Sequence, residues 1–178
     1  MSIDPKQFRA AMGRFASGVT VVTVRGPDGE DHGMTASAFC SLSMDPPLAL
    51  VCIKEGNRTL ELLESDGPNR HKLGISLLAR DQEERSNRFA GGIVVDGRWE
   101  RWPADRDKFA DISVTRGDVS GAALLDGALA NLDCTVEHVH TGGDHKIVCA
   151  RIHGIRLAGT DAPDALLYFS GSYGGFSK

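Results

Sequence analysis

Apolar and polar positions alternate over short stretches of this chain, and Gly, Pro, Asp and Asn separate the stretches. Val19-Thr20-Val21-Val22-Thr23-Val24 is β-branched at every position and predicts a strand. Pro27-Asp28-Gly29 predicts the turn after it. Further strands are expected over His32–Ser43, over Leu48–Lys54 behind the Pro46-Pro47 corner, and over Leu73–Leu78. Leu132–His140 and Lys146–Leu157 flank Thr141-Gly142-Gly143-Asp144 and predict a hairpin. Leu166–Tyr168 opens the last strand.

Helical spacing is rarer. Asp4-Pro5 is a capping start, and Phe8, Met12 and Phe15 then fall on one helical face, with Gly18 ending the element. Asn57 can cap a short helix through Thr59, Leu60 and Leu63, before a turn at Asp66-Gly67-Pro68. Asp81-Gln82-Glu83-Glu84 resembles a capping box and opens a helix to Phe89-Ala90. Residues 91–119 read as polar and irregular, with one or two helical turns over Asp105–Ala110. Trp99 and Trp102 are expected there as an exposed pair, covering a partner surface or a ligand pocket, or simply packing. Many short strands with few helices predict a mainly β chain folded as a closed or nearly closed antiparallel barrel.

Bulk properties narrow the function. A chain of 178 residues, 41% hydrophobic and 25% charged, suits a single domain over 1–178 with its own core. The net charge of −4 leaves no basic footprint for nucleic acid. No apolar run has the length of a membrane span, and no apolar stretch follows Met1-Ser2-Ile3-Asp4-Pro5-Lys6 as a signal peptide requires. A cytoplasmic location is therefore expected. Cys40, Cys52, Cys134 and Cys149 form no Cys-x-x-Cys pair and read as buried reduced thiols, with no metal site expected. His138 and His140 share a strand face as either a metal pair or, the preferred reading, a solvated hairpin face. His32, His71 and His153 have no supporting constellation. Nucleophile elbow, Walker loop, zinc helix and Rossmann fingerprint are all missing.

The chemistry-bearing stretch is Gly33-Met34-Thr35-Ala36-Ser37-Ala38-Phe39-Cys40-Ser41-Leu42-Ser43, followed by Asp45-Pro46-Pro47-Leu48. Strand interiors usually take bulky branched residues, and here Thr, Ala, Ser and Ala run in a row. Small side chains let a flat ligand approach the backbone, with free amides and hydroxyls for its polar edge. A tightly packed sheet contact is the other reading. Further motifs are Gly18–Thr23, Gly127-Ala128-Leu129-Ala130 leading to Leu132-Asp133-Cys134, Gly143-Asp144-His145, and Leu166–Tyr173.

In number, order and spacing these motifs resemble the short-chain flavin reductase family, reductase components of two-component flavin-dependent monooxygenases. The resemblance runs from about Phe8 to Tyr173 and is weakest over 91–119, a variable or inserted segment. It implies a Greek-key split β-barrel with a few peripheral helices and a flavin groove at a homodimer interface. By position it implies that Thr35, Ala36, Ser37 and Ala38 meet the ring edge and ribityl chain, with Ile53 and Lys54 beside the groove. It places Asn57, Arg58 and Thr59 on the phosphate side, where a helix start also favours an anion. For Arg58 a solvated surface role is the alternative. Arg88, next to Phe89, is a candidate phosphate fork. Phe39, His145 and Tyr173 would border the nicotinamide; His145 as a turn histidine bonded to Asp144, and the two aromatics as core or interface residues, are the alternatives.

The chain departs from the family pattern at Ser76 (often Asn), Ala38 (often Ser) and Asn131 (often Trp). The implied activity is NAD(P)H-dependent reduction of FMN or FAD, with NADH or NADPH as co-substrate and a separate monooxygenase as recipient. Such hydride transfer needs no catalytic side chain, because the cofactors carry the chemistry. A flavin-binding sensor or carrier without turnover is the alternative.

Overall fold

The computed structural model describes residues 3–159 and 164–176. Met1 and Ser2 of the N-terminal reading lie outside them. Helix α1 (Pro5–Met12) starts as its capping chemistry predicts, with the Asp4 carboxylate accepting from the Lys6 amide at 3.1 Å. Strands β1 (Ser17–Gly18), β2 (Thr20–Arg25), β3 (Asp31–Ala36), β4 (Phe39–Met44) and β5 (Pro47–Lys54) follow. Then come α2 (Arg58–Glu64), β6 (Lys72–Leu77), a 3-10 turn (Arg80–Gln82) and α3 (Glu83–Phe89). The remainder holds β7 (Gly92–Val95), β8 (Arg98–Arg101), β9 (Val114–Arg116), β10 (Ala123–Leu125), β11 (Ala130–Gly142), β12 (His145–Leu157), β13 (Leu167–Phe169) and β14 (Ser172–Gly174).

Seven strands form one antiparallel sheet in the order β3-β2-β6-β11-β12-β5-β4. Its two edges, β3 and β4, are joined by only Ser37 and Ala38. Three Cα steps reach at most about 11 Å, so the sheet must roll until its edges meet. The Ala38 carbonyl accepts from the Cys52 amide at 2.9 Å, which prolongs the β4–β5 ladder back to the bend. The fold is a split β-barrel with peripheral helices: the strand pattern predicts an antiparallel barrel, and the family resemblance implies the split form.

Side chains of the chain segment running into β2 separate by strand periodicity. Val22 and Val24 join the barrel core with Val51, Ile53, Leu73 and Ile75, while Val19 and Val21 join a second core with Leu78, Phe89, Leu125 and Leu166. Burial of each such side chain contributes about 1.5–3 kcal/mol. Both faces of β2 are therefore covered, which explains its unbroken β-branched run. Thr23 is fully buried and satisfies its hydroxyl by donating to the Ala123 carbonyl at 2.6 Å.

Several expectations are corrected. The strand expected over His32–Ser43 is two strands, because the chain leaves one sheet edge at Ala36 and re-enters at the other with Phe39. Residues 91–119 contain a hairpin, β7–β8, turned by Asp96 (φ 50°) and Gly97 (φ 74°). Asp-Gly is the dipeptide that turn geometry prefers. Trp102 is buried while Trp99 is exposed. The expected capping box at Asp81–Glu84 does not cap α3, which has no side-chain cap; instead the Gln82 side-chain oxygen accepts from the Ala79 amide at 3.0 Å and caps the 3-10 turn before it. The hairpin turn is only Gly143-Asp144, since Gly142 pairs with His145. Cys134 and Cys149 are buried but Cys40 is exposed and Cys52 half-buried, all four as free thiols. Burial pushes the Cys134 thiol up to about 12.

Two of the three family departures, Ser76 and Asn131, have local explanations. The Ser76 hydroxyl accepts from the Leu125 amide at 3.0 Å, and the Asn131 amide donates to the Leu125 carbonyl at 3.2 Å. Both residues tie β10 to the barrel rather than face the groove.

Candidate active site

Ladder geometry assembles the site at one rim of the barrel. Antiparallel pairing of β4 with β5 sets Phe39 opposite Val51, and the next bond of that ladder sets Ala38 beside Cys52, so Ser37 lies level with the end of β5. On the other side of β5, Lys54 pairs with His145. Neighbouring strands are about 4.8 Å apart, so the bend and His145 stand about 10 Å apart across the end of β5. The chain turns at Gly56, φ 76°, and Asn57 enters α2 at the same rim. The structure thus brings Thr35–Phe39, Ile53–Lys54, Asn57–Thr59 and His145 together.

Ser37 and Ala38 are exposed, and neither their amides nor the Ser37 hydroxyl donates to another described residue. Small side chains with unspent donors fit the carbonyl-bearing edge of an isoalloxazine, so this chain's residues suit a flavin. Ala36 and Ile53 are buried and offer backbone only. Lys54 is exposed at the rim. The Asn57 side-chain oxygen accepts from the Thr59 amide at 2.9 Å, so this amide is already used as a cap. Arg58 is exposed and pairs loosely with Glu61 at 3.4 Å. Phe39 is half-buried and packs on the barrel core.

His145 has its ring set by Asp144. The carboxylate can only accept, so the Nδ1–H donates to it at 2.8 Å and Nε2 is left for the groove. The same bond, aided by the histidine's charge, holds the Asp144 carboxyl below its usual range. A depressed carboxyl contributes above the ordinary carboxylate range and loses that contribution as pH falls through its folded value. The orienting bond is therefore intact at neutral pH.

Tyr173 reaches the site through an intermediary that the sequence did not reveal. The Thr35 hydroxyl donates to the Ser86 carbonyl at 2.6 Å, and the Ser86 hydroxyl shares a 2.8 Å bond with the Tyr173 hydroxyl. Burial pushes the Tyr173 phenol up, so it stays protonated. Ser86 is fully buried on α3, and no local sequence signal marks a helix serine as the link between two distant strands.

Arg88 and Phe89 lie behind the rim. The Arg88 guanidinium donates to Glu84 at 2.8 Å and to the Ala110 carbonyl at 2.7 Å, and rests 4.8 Å from the centre of the Trp102 ring. Phe89 is 2% exposed and meets Phe109 edge-on at 4.9 Å between centroids. Both residues hold the segment after β8 against α3. That segment walls a cleft of about 1200 Å³ that runs from Met34 and Asn57–Thr59 to Arg101–Phe109.

The domain description "Flavin reductase like domain" matches residues 12–177 of this chain. The chain belongs to the flavin reductase family. It is similar to an NADH-dependent flavin reductase of a Rhodococcus species, 39% identical over 177 residues, covering 96% of this chain and 86% of that protein. It is similar as well to the reductase subunit HsaB of a flavin-dependent monooxygenase from Rhodococcus jostii, 33% identical over 98% of this chain and 79% of that subunit. Among solved structures, the NADH:FAD oxidoreductase SgcE6 of Streptomyces globisporus superposes with a TM-score of 0.82 at 32% identity, covering 100% of this chain and 98% of that one. The expected family is confirmed, as is the flavin reductase enzyme class. No helix among the described residues is long and apolar enough to cross a membrane.

Proposed function

We propose that this protein, as one domain over 1–178, passes hydride from NADH to a flavin bound at the rim and releases the reduced flavin to a separate oxygenase. The observation that carries this reading is the exposed Ser37-Ala38 bend with unspent donors, set between the two barrel edges and across β5 from His145. Flavin is substrate here: it takes the hydride at N5 and a proton from solvent, and NAD⁺ leaves. The chain's own residues supply position. The bend holds the ring edge, Asn57–Thr59 and Lys54 border its ribityl phosphate side, and His145 and Tyr173 flank the nicotinamide. No side chain here needs to act as acid or base. Four free thiols and a cytosolic hydride donor fit a cytoplasmic setting.

The test is NADH oxidation by the purified chain with and without added FMN or FAD. Oxidation that depends on added flavin and saturates with it supports the reading. Flavin binding without any oxidation by NADH or NADPH would instead favour a carrier or sensor. His145→Ala is expected to raise KM for NADH about tenfold, the worth of one charge-assisted contact, and to leave flavin affinity within about twofold. Loss of flavin binding with an unchanged KM would refute this placement.

A homodimer completes the proposal. Helix α1 buries none of its side chains, and Phe8, Met12 and Phe15 are 54%, 57% and 81% exposed. An amphipathic helix with an uncovered apolar face gains its stability by packing on a partner, for which we assign a second copy. Sedimentation should give twice 19.1 kDa. Phe8→Asp combined with Phe15→Asp should shift the chain to monomer, and an unshifted mass would remove the role assigned to α1.

A further inference from the structure

Trp102 is built around Arg106. It is 6% exposed, its indole N–H donates to the Arg106 carbonyl at 2.8 Å, and its ring carries the Arg106 guanidinium 4.8 Å from the centroid. Arg88 stacks on the same ring and binds the Ala110 carbonyl, so both ends of the loop around Arg106 are pinned to α3. Arg106 itself is exposed and lines the cleft. A guanidinium laid on an indole has already lost much of its rotamer freedom, so little is left to lose when it binds an anion.

The cleft starts where the ring site ends. Met34 and Asn57–Thr59 line it, whereas Ser37, Ala38 and His145 do not. Its 1200 Å³ exceeds the 300–1000 Å³ or so of an ordinary small-ligand pocket, and a mononucleotide ending at Asn57–Thr59 would leave it largely unfilled. Two of its acids are already engaged. Asp31 is held by Arg116 at 2.6 Å, and Asp107 accepts from the Phe109 amide at 2.9 Å. Glu30 and Asp105 line the same cleft as Arg58, Arg101, Arg106 and Lys108, so cations outnumber the acids left unengaged.

We infer that Arg106, seated on Trp102, receives the adenosine diphosphate half of FAD in this cleft and makes the protein select FAD over FMN. This rests on the flavin reductase reading and adds the specificity residue to it. Arg106 forks onto the distal phosphate, and its free face offers a planar platform to the adenine. Trp102 is a positioning residue that acts through Arg106.

The experiment titrates the full-length chain with FAD, FMN and ADP by fluorescence, for the natural sequence, Arg106→Ala and Arg106→Lys. Expected are FAD binding at least about tenfold tighter than FMN, and ADP displacing FAD but not FMN. Arg106→Ala should remove the FAD advantage without changing FMN affinity or thermal stability, and Arg106→Lys should restore only part of it, since a point charge lacks the planar fork. Equal binding of FAD and FMN, or parallel loss of both in Arg106→Ala, overturns the inference. Unchanged FAD binding with a raised KM for NADH, measured with FMN as acceptor, would give the cleft to the nicotinamide dinucleotide and also overturn it. In each of these outcomes the protein still oxidises NADH. Absence of turnover with either flavin is the separate failure of the reductase reading.

Discussion

Ser37→Leu is expected to lower flavin affinity at least about 100-fold and to abolish flavin-dependent NADH oxidation, with the fold intact. Ser37 is exposed at the bend between β3 and β4, so its side chain supports no core contact. The larger side chain would stand where the ring edge must approach the backbone. That separates the ring from the Ser37 and Ala38 amides and removes the Ser37 hydroxyl as well. Each such bond is worth about 0.5–1.5 kcal/mol net, and two or three of them amount to about the 2.7 kcal/mol that a 100-fold loss requires. Thermal unfolding should move by less than a few degrees, as for most surface substitutions. A Ser37→Leu protein that binds flavin normally would show that the ring lies elsewhere. Ser37→Ala separates the two contributions, because it removes the hydroxyl and keeps the approach open, and a loss of roughly tenfold or less is expected.

The largest stability effect is expected at Asp133, far from the rim. Its carboxylate is 5% exposed and accepts from the Val119 amide at 2.7 Å and the Ser120 amide at 2.9 Å. These two bonds hold the loop between β9 and β10 onto β11. In Asp133→Ala both amides lose a charged acceptor, at about 1.5–3 kcal/mol each. The expected total is about 3–5 kcal/mol, or a fall in Tm of roughly 10 °C or more for a chain of this length. Asp133→Asn keeps an acceptor for one amide and should cost roughly half as much. Denaturant midpoints of the two variants measure this directly. A loss below about 1 kcal/mol in the alanine variant would show that water replaces the carboxylate.

Sequence and structure agree most closely where one local rule governs. The β-branched run Val19–Val24, the Asp4-Pro5 start, the Asn57 cap and the Gly143-Asp144 hairpin all formed because dihedral preference, capping or turn chemistry acts within a few residues. Misreadings concentrate where distant partners decide. Thr35 to Phe39 looks like continuous strand locally, and only the need to join opposite sheet edges breaks it at Ser37-Ala38. The β7–β8 hairpin did have a local signal, Asp96-Gly97, hidden among polar residues.

The same division runs through the site. That Thr35–Ala38, Asn57–Thr59 and His145 gather at one rim of the barrel matches the grouping that the motifs and their family resemblance implied. The Ser86 bridge between Thr35 and Tyr173 was not, because its residues are 51 and 87 positions apart. Nor was the fate of Arg88. By type it could fork onto a phosphate, but packing assigns it to Glu84, Ala110 and Trp102.

By itself, then, the sequence determined the family, the flavin reductase class, a mainly β architecture and the short segments able to meet a flavin, since each depends on residue type at near-neighbour spacing. Only the tertiary structure decided where the barrel seam lies, which of two tryptophans is buried, and which cations keep a free face. Those outcomes depend on contacts closed over tens of residues, where burial and hydrogen-bond satisfaction outweigh local preference.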